Sequence, residues 1–372
     1  LSLMRREHFD LFGGTRFGGT LEIADAWKAG FDHIAIATGA GKPTVVSMKN
    51  NLSRGIRKAS DFLMALQLTG AFKKDAMANL QLRLPAIVIG GGLTGIDTAT
   101  GALAYYPIQV EKLAGRYDQL CQDFGEDTVR GFFSDEEQGV LDEFVGHGRA
   151  VAEERSRALR EGEAPNLVGL VEGWGGVKLV YRKALADSPA YRLNHEEVIK
   201  ALEEGITFIE HMSPLEAKLD KYGAVEGMIF ERQHLNDEGK WRGTGEEIEL
   251  DARTVLVAAG TSPNITYEKE HPGTFDLDQW AWFFEVHRKE EKGLQAIPRG
   301  RDESGVGFFT SYHDGERTIS VYGDNHPTYA GNVVKAMASA RDGYPKVVEL
   351  FAEELADLDN GAEALAARKD SW

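Results

Sequence analysis

The stretch from Leu84 to Leu103, LPAIVIGGGLTGIDTATGAL, constrains this chain more than any other. Ala86-Ile87-Val88-Ile89 is a short β-branched run of the kind that forms a buried strand. Gly90-Gly91-Gly92-Leu93-Thr94-Gly95 then reads as G-x-G-x-x-G, and Ile96, Ala99 and Leu103 follow at helical spacing. Strand, glycine turn and helix in this order are what a dinucleotide fold needs. Gly90 permits the tight turn, Gly92 lets the backbone approach a pyrophosphate, and Gly95 lets helix and strand pack closely, with the phosphates on the helix N-terminus. A glycine triplet alone can be a flexible connection; the strand before it and the helix after it favour the dinucleotide reading.

A formal net charge of −17 over 372 residues argues against nucleic acid or an anionic membrane as a general partner. Any phosphate held here must be bound by local backbone N–H groups and a few placed cations. The length is enough for two domains. The single cysteine, Cys121, excludes an internal disulfide, a C-x-x-C redox pair and a cysteine-ligated cluster within these residues. No apolar run approaches the roughly 20 residues of a membrane span. The polar start (Arg5, Arg6, Glu7) does not read as a signal peptide, so a cytoplasmic location is expected. Opening on Leu1 rather than Met, the chain reads as a piece of something longer.

Ahead of the glycine loop, a short helix is expected from Glu22 to Lys28 and a buried strand at Ile34–Ala37, ended by Thr38-Gly39. His33 reads as a solvated or satisfied side chain. Residues 55–72 carry a helical pattern (Ile56, Ala59, Leu63, Leu66). Beyond the loop, about residues 104–170 read as an inserted helical hairpin, with helical stretches at Val140–Phe144 and Ala150–Leu159. Tyr105, Tyr106, Tyr117, Phe132 and Phe133 are expected to pack within it, an interaction surface being the other reading.

The next strand, Val177 to Tyr181, ends at Arg182-Lys183. In a βαβ dinucleotide unit this is where the adenosine ribose lies. A carboxylate there suits NAD, whereas cations suit a 2′-phosphate, onto which Arg can fork two N–H donors. Two ordinary surface cations are the competing reading. A helix at His195–Glu204, a strand at Ile206–Ile209, a meander about Val225–Glu231 with a turn at Asn236–Gly239, and a buried strand at Thr254–Gly260 follow. Residues 265–317 are irregular and aromatic-rich. Ile319–Asp324 reads as a strand ending in Gly323-Asp324, a helix begins near Val333-Val334, and Val347–Ala367 reads as an acidic amphipathic helix or tail.

Taken in order, these blocks resemble the flavin-containing small subunit of glutamate synthase and its relatives, in the two-dinucleotide-binding-domain flavoprotein class. Phe31–Gly39 matches Y-D-x-V-x-x-A-T-G, Val88–Asp97 matches V-I-G-G-G-N-T-A-x-D, and Val180–Ala190 matches V-Y-R-R-x-x-x-x-x-P-A. Leu202–Phe208, Val255–Asn264 (V-x-V-A-x-G-x-x-P-N, with Gly260) and Val321–Asp324 complete the series. The resemblance implies an α/β fold in which a Rossmann-like NADPH-binding domain (83–264, with the insertion at 104–170) is inserted in a partial FAD-binding domain. The FAD-binding parts would be residues 1–46 and 265–372, with 47–82 a helical connection. It implies that Arg182 and Lys183 meet the 2′-phosphate, that Asp324 hydrogen-bonds the flavin ribityl chain, and that Val333-Val334 begin a helix facing the isoalloxazine edge. The family's first glycine fingerprint, which holds the FAD pyrophosphate, would fall ahead of residue 1, so weak or absent FAD is expected on these residues alone. Leu93 and Gly95 stand where the family has Asn and Ala.

The expected function is hydride transfer between NADPH and FAD, with no general base required. Electrons would pass to or from an iron–sulfur domain or subunit, such as a glutamate synthase-like large subunit. The alternative is a non-catalytic nucleotide-binding or docking domain of a larger redox assembly.

Overall fold

The computed structural model describes residues 3–291, 293–297, 305–315, 317–358 and 361–371. Parts of the aromatic 265–317 segment and of the tail therefore lie outside the described residues. The chain divides into two compact units, Pro43–Gly260 and the pair Leu1–Lys42 with Thr261–Trp372. Residues 47–82, expected as a connection, belong to the first of these.

The Pro43–Gly260 unit is built on five parallel strands in the spatial order Ile56–Lys58, Thr254–Val257, Ala86–Ile89, Val177–Val180, Thr207–Ile209. Ala86, Ile87 and Val88 are fully buried at its centre, as expected of a parallel strand covered on both faces. Chain progression reverses between Ala86–Ile89 and Thr254–Val257, the place where open α/β sheets receive ligands beyond the carboxyl ends of their strands. The Ile56 end of the helical pattern at 55–72 is a strand, because Ile56 pairs with Val255; the helix is Ala59–Leu68.

The helix after the glycine loop does not stop at 104. It runs from Leu93 to Phe124 through a buried Pro107, so the expected insertion begins as a continuation of the fingerprint helix. Val140–Phe144 and Ala150–Leu159 are parts of one helix, Asp135–Glu161, opened by a Ser134–Glu137 capping box. The two helices pack closely at Gly148, where a Cβ would stand 2.3 Å from the Val110 carbonyl oxygen. Tyr105, Tyr106 and Tyr117 are buried as expected, but Phe132 is 81% exposed, since it falls in the turn before Ser134 rather than on a packed face. Along the fingerprint helix, Lys112 is buried and its ammonium donates to the carbonyls of Ala71 (2.8 Å), Lys73 (3.1 Å) and Ala78 (2.8 Å). Arg116 donates to Ala76 and Met77, and Gln109 pairs with both backbone groups of Leu82.

The helix expected at His195–Glu204 starts earlier, at Pro189 behind the N-cap Ser188, and is interrupted at Asn194. The meander is three antiparallel strands, Met212–Leu219, Val225–Leu235 and Trp241–Asp251.

In the other unit the sheet order is Ile34–Ile36, Arg317–Val321, Phe309–Asp314, His287–Glu290, Gly293–Ala296. Only the first pair is parallel. Ile34–Ile36 lies at the sheet edge, and Ala35 and Ala37 are exposed, so the apolar run expected as a buried strand is covered on one side only. His33 shares a 2.7 Å hydrogen bond with the Ser320 hydroxyl, and burial pulls its imidazole down to about 4. In the aromatic segment Phe283 and Phe284 are buried while Trp280 and Trp282 are more than half exposed. The helix expected near Val333 is Val333–Leu350, and the stretch expected as one helix or tail from Val347 to Ala367 takes in its end and two further helices, Ala352–Asp357 and Ala362–Ser371. Among the described residues no helix is long and apolar enough to cross a membrane.

Candidate functional site

The glycine loop leaves the Ala86–Ile89 strand at the centre of the parallel sheet. Gly90 has φ +145°, and a Cβ there would stand 2.1 Å from the Ala258 carbonyl oxygen on the neighbouring strand's extension. Its amide donates to Val180 at 3.0 Å. Gly95 meets the loop from the helix side, with a Cβ position 2.8 Å from the Gly90 carbonyl. These two residues close the turn. Gly92 does something different: it is the helix N-cap, its φ of −92° suits any residue, and nothing lies within 4 Å of where its Cβ would be. No side chain caps this helix. Among the described residues the N–H groups of Leu93 and Thr94 have no acceptor, so the positive end of a 32-residue helix faces open space in front of Gly92.

Gly91, expected with the rest of the loop to line the cofactor, has a structural demand of its own. A Cβ there would lie 2.6–2.8 Å from the Tyr181 ring, and its carbonyl accepts from Ala190 N at 2.9 Å. Thr94 and Asp97 are exposed on the first turns of the helix, with Leu93 half-buried between loop and solvent. Partial burial and the Glu197 charge hold the Asp97 carboxyl above the usual carboxylate range. Gly260 (φ +88°) is exposed two residues beyond Ala258, and its carbonyl accepts from Thr44 N.

Arg182 and Lys183 follow Tyr181 at the end of the adjacent strand. Neither forms an ion pair among the described residues, although the protein carries many exposed pairs elsewhere, such as Arg192–Asp187 at 3.1 Å. Their backbone is fixed: Tyr181 N donates to Ile209 O, Met212 N to Tyr181 O (3.0 Å), and His211 N to Lys183 O (3.3 Å). Burial pushes the Tyr181 hydroxyl up, and the Arg182 charge pulls it partly back.

In the other unit, Gly323, Asp324 and Asn325 form a single turn after the Arg317–Val321 strand. Gly323 (φ +63°) donates its N–H to Ser339 Oγ at 2.8 Å. One Asp324 carboxylate oxygen accepts from Gly331 N at 2.9 Å. Val333 and Val334 open the Val333–Leu350 helix and are 70% and 67% exposed; Asn332 caps it by accepting from Lys335 N at 2.9 Å. The residue that ties this region together is Asn325, which the sequence did not single out. Fully buried, it accepts from the Thr38 hydroxyl (3.1 Å) and donates to Asn264 O (2.9 Å), while Asn264 N donates to Gly39 O (2.9 Å). Thr38-Gly39, Asn264 and Gly323–Asn325 thus meet at the carboxyl end of the Ile34–Ile36 strand. A cavity of about 310 Å³ opens beside them, lined by Arg16, Phe17, Ile36, Thr38, Asn264 and Tyr267 among others.

An α/β chain with a Rossmann-like unit inserted between two segments of a second sheet domain has the fold of the two-dinucleotide-binding-domain flavoproteins. FprA from Mycobacterium tuberculosis, in a point-mutant structure, overlays at a TM-score of 0.51 with 16% identity, over 96% of this chain and 73% of FprA. Thioredoxin reductase from Lactococcus lactis overlays at 0.40 with 16% identity, over 85% of this chain and 66% of that one. In sequence, the uncharacterized protein RP006 of Rickettsia prowazekii (strain Madrid E) is 31% identical over 355 residues, which is 92% of this chain and 41% of RP006. The chain therefore spans about two fifths of the length of that curated relative. No protein-family model matches the chain.

Proposed function

We propose that this chain is the dinucleotide-binding part of an NADPH-dependent flavin oxidoreductase. In this reading the Pro43–Gly260 unit holds NADPH, and Leu1–Lys42 with Thr261–Trp372 contributes to an FAD domain. The observation that carries it is the pairing of an uncapped helix N-terminus and open space at Gly92 with two cations, Arg182 and Lys183, that have no acidic partner among the described residues. Pyrophosphate and 2′-phosphate are the two anionic groups of NADPH, and this arrangement offers one receptor for each.

The residues fit NADPH better than they fit FAD. For a flavin, the second oxygen of Asp324 and the start of the Val333–Leu350 helix offer ribityl and ring contacts. No second uncapped glycine loop stands beside the open edge of Ile34–Ile36 among the described residues. When bound, FAD would supply a hydride acceptor for the nicotinamide; the chain's own part is to hold and orient. The finer reading follows the motif resemblance: a glutamate synthase small subunit-like enzyme working with an iron–sulfur domain or subunit, since Cys121 cannot ligate a cluster alone. The exposed Phe132, at the turn of the helical insertion, favours a second reading, a non-catalytic nucleotide-binding or docking domain of a larger redox assembly whose insertion makes the contacts.

Calorimetric titration with NADPH and NADH tests the proposal. NADPH is expected to bind more tightly, and Arg182→Ala with Lys183→Ala should cost it roughly 2–4 kcal/mol while sparing NADH. Equal affinities in the unaltered protein would overturn the assignment. A flavin spectrum in the purified protein separates the enzyme from the docking domain.

A further inference from the structure

We infer that His211 and Trp241 form the adenine seat of the nucleotide site, stacking the base whose ribose carries the 2′-phosphate held by Arg182 and Lys183. The inference rests on the NADPH reading and adds a contact which that reading does not require.

His211 lies two residues beyond the Thr207–Ile209 strand, next to the strand that ends in the two cations. Its backbone is left-handed, with φ +64°, an unusual state for a residue with a side chain and one that persists only where the surroundings fix it. They do so from both sides: His211 N donates to Lys183 O at 3.3 Å, and His211 O accepts from Gln233 N at 2.7 Å. The first of these bonds ties His211 directly to the cation turn. The conformation sets the imidazole on the Trp241 indole, with ring centroids 4.9 Å apart and planes inclined by 27°. Trp241 opens the last strand of the meander, and both residues are only half-buried, so the stacked pair keeps surface open to solvent.

The chemistry of the ligand fixes what must lie there. In a 2′-phosphoadenosine the phosphate and the base are attached to adjacent carbons of one ribose. A base seat must therefore sit within a residue or two of the phosphate-binding cations. A flat, partly exposed aromatic pair beside two cations with no acidic partner among the described residues is a receptor for a phosphorylated planar base: the rings stack the base and the cations meet its phosphate. Stacking of this kind carries no 2′-phosphate selectivity, whereas the cations do. That difference separates the two roles experimentally.

The test is titration of NADPH, NADH and ADP-ribose into the unaltered protein, Trp241→Ala, His211→Gly, and the Arg182→Ala, Lys183→Ala double variant. Glycine adopts the left-handed backbone at 211 without strain, so that variant keeps the fold even if Trp241→Ala does not. Trp241→Ala and His211→Gly are expected to weaken all three ligands by a similar factor, roughly tenfold. The double variant should weaken NADPH alone. If both ring variants bind all three ligands within twofold of the unaltered protein, the stack is only a cap on the meander and the inference falls while the NADPH reading stands. If the unaltered protein binds none of them, both fall.

Discussion

The buried ammonium of Lys112 makes a quantitative prediction about how the segment leading into the glycine loop is held. It donates to three carbonyls, those of Ala71, Lys73 and Ala78, and so closes residues 71–78 onto the fingerprint helix. Lys112→Met keeps most of the aliphatic stem and removes all three donors. A hydrogen bond to a charged group contributes roughly 1.5–3 kcal/mol net. The three are not additive here. The freed carbonyls rehydrate once the loop lifts, and burial, which pulls the Lys112 ammonium down in pKa, already offsets part of the gain. Taking about one third of the sum gives roughly 1.5–3 kcal/mol, or about a ten- to hundredfold increase in the open population of the loop. Lys73 and Lys74 are exposed on it but must leave the helix to enter a protease, which makes trypsin the assay. Under conditions where reclosing outpaces cleavage, the rate follows the open population. Lys112→Met should be cut after Lys73 or Lys74 about ten to a hundred times faster. A rate within threefold of the unaltered protein would show that Gln109, Tyr105 and Arg116 hold the segment without Lys112.

The glycine loop offers a paired prediction: Gly91→Ala should lower the melting temperature, because its Cβ meets the Tyr181 ring, at a cost of roughly 1–3 kcal/mol, whereas Gly92→Val should leave melting nearly unchanged and remove NADPH binding. The opposite pattern would mean that the loop is gripped at 92 and open at 91. Acid should weaken the unit that carries His33 and His326, since burial pulls both imidazoles down to about 4, and His326 is locked as the neutral ring by donating to Gly307 O and accepting from Thr328 N. Their folded-state values lie below the unfolded value near 6.5, so this stability is complete above pH 6.5 and is lost as pH falls toward 4; urea midpoints that do not decline over that window would refute it. FAD should be present at well below one equivalent in the purified chain, because the phosphate contacts that supply much of a dinucleotide's affinity are lacking for flavin among the described residues. Stoichiometric flavin absorbance would show that its site has been misassigned.

What could be read from the sequence was local. Ala86–Ile89, the glycine turn and the start of the helix are legible because each residue answers a demand made by its immediate neighbours: β-branching for a strand, a missing Cβ for a tight turn. The place of Arg182-Lys183, just beyond the Val177–Val180 strand, was legible from the apolar run before them. Ile56–Lys58 was not, since two of its three residues are charged and the strand exists only through pairing with Thr254–Val257. Ala35 misled for the converse reason: an apolar run reads as buried, but burial depends on what lies beyond the sheet edge. Tyr181 was legible only as the Y of the V-Y-R-R block, and Asn325 and His211 carry no motif; their contacts, with Gly91, with Thr38 and Asn264, and with Lys183 and Trp241, are ones that only the fold brings together. The length of the fingerprint helix was hidden by Pro107, which usually ends a helix and here sits buried within one.

The parallel pairing of Ile34–Ile36 with Arg317–Val321 also sets an order of events during synthesis. His33 and its partner Ser320 are 287 residues apart in the chain. At ribosomal rates of roughly 5–20 residues per second, the first strand waits about a quarter of a minute to a minute for its mate. Through that interval the Pro43–Gly260 unit, whose five parallel strands all lie within its own span, can fold. Residues 34–37 meanwhile lack the Arg317–Val321 partner. Until then this sheet cannot close, and truncation anywhere before Arg317 should remove the strand that joins Ile34–Ile36 to Phe309–Asp314.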